Sequence, residues 1–281
     1  MANSYTKQEL DQLHDVLYDI LGEFIRVCDL LQIPYFLQGG SAMGAFFENA
    51  ILPWDDDIDV GMKREDYEHF LQEAPKHLRS NYFLQWIGSD PHFPMPICKL
   101  RKNNTLFLEK DCALLNIHHG IFIDIMPYDR VPENYLLQKI HRYLLGIIYR
   151  CLESTEIWRW DRYYAPSVPN PILKGFCMST VAFLAVSLLS KERIFNIYSG
   201  LCKVFNKSTS TIYNQAKESF DHISEISISN IDLVDFGPLK VAVPSDLETY
   251  LRHHYGDISR HIPDEKKTNH YPLKLSFNCA D

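Results

Sequence analysis

The stretch PWDDDIDVGMKRED, which starts at Pro53, carries four aspartates within five positions: Asp55, Asp56, Asp57 and Asp59. Carboxylates at this density repel one another, so a solvated turn, a calcium loop or a metal-dependent site must account for them. On a strand, alternate side chains share a face, which groups Asp57 with Asp59 and turns Ile58 and Val60 into a core. Two carboxylates on one strand face can hold one hard divalent cation or a pair of them. The alternating hydrophobics argue against a solvated acidic turn. An EF-hand loop fails on register. With Asp55, Asp57 and Asp59 at its first, third and fifth positions, the sixth should be glycine and the twelfth a bidentate glutamate. The chain has Val60 and Asp66 there. What remains is phosphoryl chemistry dependent on Mg²⁺ or Mn²⁺, in which two or three carboxylates hold the metal and substrate phosphates complete its shell.

Such a site wants a third carboxylate, and GIFIDIMPYD offers one. Asp124 stands among Ile121, Phe122, Ile123, Ile125 and Met126, where an unpartnered ionised carboxylate is costly. A metal shared with Asp57 and Asp59 explains it; so does a buried hydrogen bond or salt bridge. Upstream, Gln38-Gly39-Gly40-Ser41 precedes an apolar run. Glycines let backbone approach a phosphate, and the start of the following helix aims amides and a positive dipole at it.

The elements that must position these groups follow from periodicity. Thr6 to Glu9 form a capping-box pattern, and Leu10, Leu13, Leu17, Ile20, Phe24 and Leu31 recur at helical spacing, predicting a long first helix that ends before Pro34. PYFLQ, ILPWDDDIDVGM, NYFLQW, PICKLRK, TLFLEK and GIFIDIMP read as strands, and REDYEHFLQEA as a helix. Residues 132 to about 205 read as mostly helical, broken by the aromatic, proline-rich WRWDRYYAPSVPNP. Short strands are expected at SEISIS and LKVAVP, and a closing helix at SDLETYLRHHYG, capped by Ser245. The fold class is α/β (α+β), a mixed sheet with flanking helices and a mostly helical second half.

Composition sets limits on function. The chain has 281 residues, is 46% hydrophobic and carries a net charge of −8. That is ample for a core and the wrong sign for a nucleic-acid partner, though a nucleotide needs only a few local cations. Seven scattered cysteines show no C-x-x-C spacing, which disfavours both a disulfide framework and a zinc site. No apolar signal segment opens the chain, so a cytoplasmic location is expected. The apolar run Ile172 to Leu189 reads as a buried core helix. Its length also leaves a peripheral contact with the inner face of the membrane as the competing expectation.

The motifs GGSAMGAFF, LPWDDDIDVGMKREDYEHF, KLRKNNT, GIFIDIMPYDRVP and YLRHHYGD resemble, in order, those of the LicD/fukutin family of phosphotransferases. The resemblance implies a nucleotidyltransferase-like catalytic core over residues 1–131, a helical region over 132–220 and a segment over 221–281 that completes the same domain. It implies a CDP-linked donor, typically CDP-choline in bacterial relatives. The phosphocholine goes to a sugar hydroxyl of a surface glycan such as lipopolysaccharide or teichoic acid, and the acceptor can be lipid-linked. It assigns the donor phosphates to Gly40 and Ser41, beside Gly39, and the metal to Asp57, Asp59 and Asp124. The family commonly has an arginine where this chain has Phe47, and a glycine where it has Ala50. Lys99 and Arg101 are therefore nominated to neutralise phosphate, against the alternative of ordinary surface cations. The aromatic cluster Trp158 to Tyr164 is a candidate cage for a quaternary ammonium, against core or glycan-stacking roles. Nucleotidyl transfer with pyrophosphate release, and a non-catalytic binding protein on the same fold, are the rival readings.

Overall fold

The computed structural model describes residues 5–156, 188–215, 223–259, 267 and 269–279. The aromatic cluster Trp158 to Tyr164 and nearly all of the run from Ile172 to Leu189 lie outside the described residues. No described helix is long and apolar enough to cross a membrane.

Helix α1 (Lys7–Leu31) starts at the expected capping box. The Thr6 hydroxyl accepts from the Glu9 amide and the Glu9 carboxylate accepts from the Thr6 amide. Its stripe of Leu13, Leu17, Ile20, Leu21, Phe24 and Val27 is fully buried. It packs against a seven-stranded mixed sheet. Strands β1 (Phe36–Leu37), β2 (Asp59–Lys63), β6 (Phe122–Arg130), β4 (Cys98–Lys102) and β3 (Tyr82–Gln85) follow one another across it. β2 runs parallel to β6; β1, β3 and β4 pair antiparallel with their neighbours. Helix α2 (Gly39–Phe47) links β1 to the loop before β2, and α3 (Arg64–Glu73) follows β2 directly. Val60, Met62, Leu100, Ile123 and Ile125 form the buried face of the central strands, as strand alternation requires.

The second half contributes to the same sheet and core. Helices α4 (Tyr135–Ser154) and α5 (Lys191–Cys202) pack together, and β7 (Ile212–Gln215) then returns to pair with β6 and with β8 (Ile223–Ser224). The hairpin of β9 (Ile231–Phe236) and β10 (Leu239–Pro244) places Phe236, Val241, Ala242 and Val243 in the main core. Helix α7 (Leu247–Tyr255) sits beside α2, and β11 (Leu275–Ser276) pairs with β5 (Leu106–Phe107).

Several expectations needed correction. Of SEISIS only Ser224 is strand, with Ile223 before it; Ser224 also caps the short helix α6 (Glu225–Ser229) by accepting from the Ser227 amide. Ile226 and Ile228 alternate as in a strand, but on the helix they fall on opposite sides, Ile228 buried and Ile226 73% exposed. The strand after the aspartates begins only at Asp59, so residues 52–58 are loop. Asp246, not Ser245, holds the cap position of α7, without a side-chain bond, while the Ser245 amide donates to the Asn230 carbonyl at 3.0 Å.

One buried ion pair ties these parts together. Arg64 at the start of α3 reaches Asp129 on β6 at 2.5 Å, and Asn206 donates to the same carboxylate at 2.7 Å. Asp129→Ala should cost about 3–5 kcal/mol, because it strands a buried guanidinium. Urea unfolding measures this. A loss no larger than that of an ordinary surface substitution would show that Arg64 finds water or another partner.

Candidate active site

The registers of four strands place Asp59 beside Asp124, Asp124 beside Lys99, and Lys99 beside Gln85. Paired positions share a face, so a row of two acids, a cation and an amide crosses the face opposite α1. Asp57, Asp59, Asp124 and Lys99 line a cavity of about 780 Å³, together with Gly39 and Gly40. Five residues nominated from sequence therefore meet Asp57 at one place, although they span positions 39 to 124.

The chain before β2 gives each aspartate a different task. Asp55 carries its carboxylate to the start of α2, where a β-carbon on Gly40 would lie 2.7 Å from Oδ2. Gly39 has φ +55°, a left-handed conformation that glycine adopts at no steric cost. Asp56 is buried and faces away from the cavity. It accepts from the Tyr5 hydroxyl at 2.7 Å and from the His270 amide at 2.8 and 2.9 Å. Asp57 faces the cavity, with the His270 ring 3.3 Å from Oδ2. Burial, reinforced by Asp57, Asp124 and Asp55, pushes the Asp59 carboxyl well above the usual range.

Lys99 and Arg101 are not surface cations: both are buried. Lys99 lies 2.9 Å from Asp124 Oδ1 and 3.1 Å from Glu109, with its ammonium 3.4 Å from the centre of the Phe122 ring. Burial opposes its charge, but Asp124 and Glu109 raise its pKa above the ordinary value. Arg101 does not line the cavity. Its guanidinium bonds Gln85 at 2.5 Å, the Gly120 carbonyl at 2.6 Å and Glu109 at 2.8 Å, so it supports Glu109 from behind. Ser41 is also outside the lining, and its hydroxyl accepts from the Asp59 amide at 2.9 Å. It fixes the start of β2 against α2. Phe47 packs on the core and stacks edge-on against Phe46, with ring centres 4.9 Å apart. Ala50 is not among the described residues with positive φ; Asn49 before it is, with φ +50°.

The row suits a divalent cation. Asp124 Oδ1 is buried and, among the described residues, has no hydrogen bond of acceptable geometry despite the nearby ammonium. Burial raises the Asp124 carboxyl above its ordinary value, with Lys99 opposing. Such an oxygen, beside Asp59 and within one cavity with Asp57, is what a hard metal would satisfy. Asp56, Asp57 and His270 also bring three ligand atoms within 4.8 Å of one another. Both oxygens of Asp56 are already hydrogen-bonded, however, so that cluster reads as a tie between the aspartate loop and the C-terminal segment.

Sequence reasoning missed Glu109, Asp56's inward role, His270 and Tyr250, whose hydroxyl accepts from the Gly39 amide at 3.2 Å. Glu109 sits in a short polar loop whose only signal was its distance from the LRK strand. The contacts of His270 and Tyr250 span more than 200 residues.

Residues 32–95 match the family described as LicD/FKTN/FKRP, nucleotidyltransferase domain. The chain is 26% identical over 277 residues to the lipopolysaccharide cholinephosphotransferase LicD of Haemophilus influenzae, covering 91% of this chain and 93% of that protein. It is 32% identical over 218 residues to an uncharacterized protein of Rickettsia typhi, covering 70% of this chain and 64% of that one. A second uncharacterized protein, from Rickettsia prowazekii, is 26% identical over 193 residues, covering 62% and 67%. The family match spans the glycine turn at Gly39 and Gly40 and the clustered aspartates Asp55 to Asp59.

Glu109 gives a prediction with a sign. Burial works against its charge, but Lys99 and Arg101 together hold its carboxyl down at about 2, against an ordinary 4.5. The resulting stability is therefore fully present above about pH 4.5 and lost as pH falls toward 2. Glu109→Gln should be less stable than wild type by about 3 kcal/mol at pH 6. The difference should shrink as pH is lowered to about 3. Urea titrations across that range check it; a pH-independent difference would mean that packing, not charge, is what Glu109 supplies.

Proposed function

We propose that the protein is a Mg²⁺- or Mn²⁺-dependent transferase that moves phosphocholine from CDP-choline to a sugar hydroxyl of a cell-surface glycan. The observation that carries this reading is the juxtaposition of Asp59 and Asp124, with the hydrogen-bond-free Asp124 Oδ1, in the cavity that Gly39 and Gly40 also line. The similarity to a lipopolysaccharide cholinephosphotransferase over nearly both full lengths supports the choice of transferred group.

Charge counting supports the need for metal. The cavity wall presents Asp57, Asp59, Glu109, Asp111 and Asp124 against Lys99, Lys110 and the His270 ring, whose pKa hydrogen bonds to Asp56 and Asp57 raise to about 11. A donor diphosphate would add further negative charge to a wall in which carboxylates already outnumber cations. A divalent ion held by Asp57, Asp59 and Asp124 would neutralise the diphosphate and the departing CMP. The remaining roles belong to the chain itself. The N-terminus of α2 offers amides and a positive dipole to phosphate at Gly39 and Gly40. Lys99 supplies a fixed charge that Glu109 and Phe122 hold in place. Asp124, with its carboxyl raised by burial, is suited to accept the proton of the attacking sugar hydroxyl. Tyr255 and Tyr271, also in the lining, offer ring faces of the kind that bind quaternary ammonium.

The direct test is incubation with CDP-choline, Mg²⁺ and a lipid-linked oligosaccharide lacking phosphocholine, with CMP and the modified glycan measured. Pyrophosphate release from CTP instead would move the assignment to nucleotidyl transfer, and absence of any turnover would leave a binding protein. Asp57→Asn or Asp59→Asn should lower turnover by at least ~10²-fold. Asp124→Asn separates a metal role from a structural one. Lys99 keeps Glu109 as a partner, so the metal-free protein should lose far less than the roughly 3–5 kcal/mol of a stranded buried charge. The rise in Tm with Mg²⁺ should disappear, because that stabilisation lasts only while affinity does. A large loss of stability with the Mg²⁺ response intact would remove Asp124 from the metal site.

A further inference from the structure

Helix α4 has two apolar faces, and among the described residues only one of them is packed. His141, Leu145 and Leu152 are buried, packed toward α5 and the core beneath. On the other side Leu136 (65% exposed), Ile140 (50%), Tyr143 (68%) and Leu144 (43%) face outward. At 3.6 residues per turn these four fall on one side of the helix, with half-buried Ile147 continuing the stripe. Along one flank of the stripe run Lys139, Arg142 and Arg150. The Lys139 ammonium lies 4.3 Å from the centre of the Tyr135 ring, itself 68% exposed. The next helix, α5, also turns Ile197 and Arg193 outward.

Charge identifies the occupant. Residues 134–156 and 188–207 hold seven lysines and arginines against three glutamates, in a chain whose net charge is −8. An exposed apolar face thus coincides with a locally basic region of an acidic protein. We propose that the outer face of α4 docks onto an anionic lipid bilayer, lying in the interface with Leu136, Ile140 and Leu144 among the acyl chains. Tyr135, Tyr143 and the flanking cations would then sit at headgroup level. Leucines for insertion, tyrosines for the boundary and basic side chains that reach outward are the composition of an interfacial helix. A second copy of this chain is the poorer partner, because pairing two such faces would bring two rows of cations together. The consequence for the molecule is an attachment surface on the helical region, away from the strands that carry the aspartates.

The test uses the full chain in vesicle flotation, with phosphatidylcholine vesicles containing phosphatidylglycerol compared against pure phosphatidylcholine. Wild type should float with the anionic vesicles and release as salt is raised. The triple variant Leu136→Glu, Ile140→Glu, Leu144→Glu should lose at least ~10-fold in partitioning. Its far-UV circular dichroism should be unchanged, since all three side chains are exposed. Lys139→Glu with Arg150→Glu should weaken partitioning by about fivefold per cation. Three results would overturn the proposal. One is absence of wild-type binding to either vesicle, or binding that the triple variant retains. Another is a wild-type dimer that the triple variant converts to monomer. The third is an Ile140→Cys thiol that resists maleimide without vesicles, which would show the face already covered within the chain.

Discussion

The parallel pairing of β2 with β6 brings Asp59 and Asp124 side by side on the same face of the sheet, and much of the site exists to tolerate that pairing. Two ionised carboxylates about 5 Å apart repel by roughly 3 kcal/mol at the effective dielectric of a protein. Strand register cannot be relaxed locally, because a slip of one residue would turn Ile58, Val60, Ile123 and Ile125 out of the core. The sheet therefore fixes the repulsion, and its neighbours must offset it. Lys99, next in the row, offsets part. Glu109 then balances Lys99, Arg101 balances Glu109, and Gln85 and the Gly120 carbonyl fix Arg101. The alternation ends at an uncharged amide, and at the other end an acidic pair is left incompletely compensated. That uncompensated charge is what the proposed divalent cation would balance.

The four clustered aspartates divide the labour by direction. Strand alternation separates only the last of them, since β2 starts at Asp59. The loop before it is shaped by individual bonds. The Asp55 carbonyl contacts the His14 ring at 2.8 Å, and the Asp56 carboxylate takes Tyr5 and His270. The N-terminal helix and the C-terminal segment thus grip the loop from opposite ends of the sequence, and this leaves Asp57 directed at the cavity. A density of charge that looked redundant in one dimension is three separate functions in space: one carboxylate against a helix start, one as a structural knot, and two at the cavity.

What was legible in the sequence was what repeats locally. The capping box and heptad-like stripe of α1, the apolar flanks of Asp124 and the glycine turn at Gly39 each carry their meaning within a few residues, and each appears as read. The hairpin strand β9 did not announce itself: IDLVDF is mostly solvent-exposed, so packing imposes no alternation on it. Its partner β10 supplies the buried side chains, and LKVAVP was readable for that reason. SEISIS looked like a strand because Ile226 and Ile228 stand at alternate positions, although only Ile228 is buried. Glu109, His270 and Tyr250 were beyond reach, because their roles are set by partners to which no local pattern points.

Lys99 and Arg101 show how register, rather than residue type, assigns a role. In sequence they are equivalent: two cations at alternate positions of one strand, pointing the same way. β4 meets β6 so that Lys99 stands opposite Asp124 and Arg101 opposite Phe122. Both side chains then cover the same ring, at 3.4 and 4.6 Å, yet only Lys99 ends in the cavity. A guanidinium satisfies several acceptors at fixed angles, which suits the buried corner formed by Gln85, Gly120 and Glu109. An ammonium is a compact point charge on a flexible stem, suited to standing between two carboxylates while keeping one side toward a ligand. Exchanging the two residues would leave composition, net charge and strand pattern unchanged. It would also place a rigid fork where a point charge is needed and leave the buried corner short of donors.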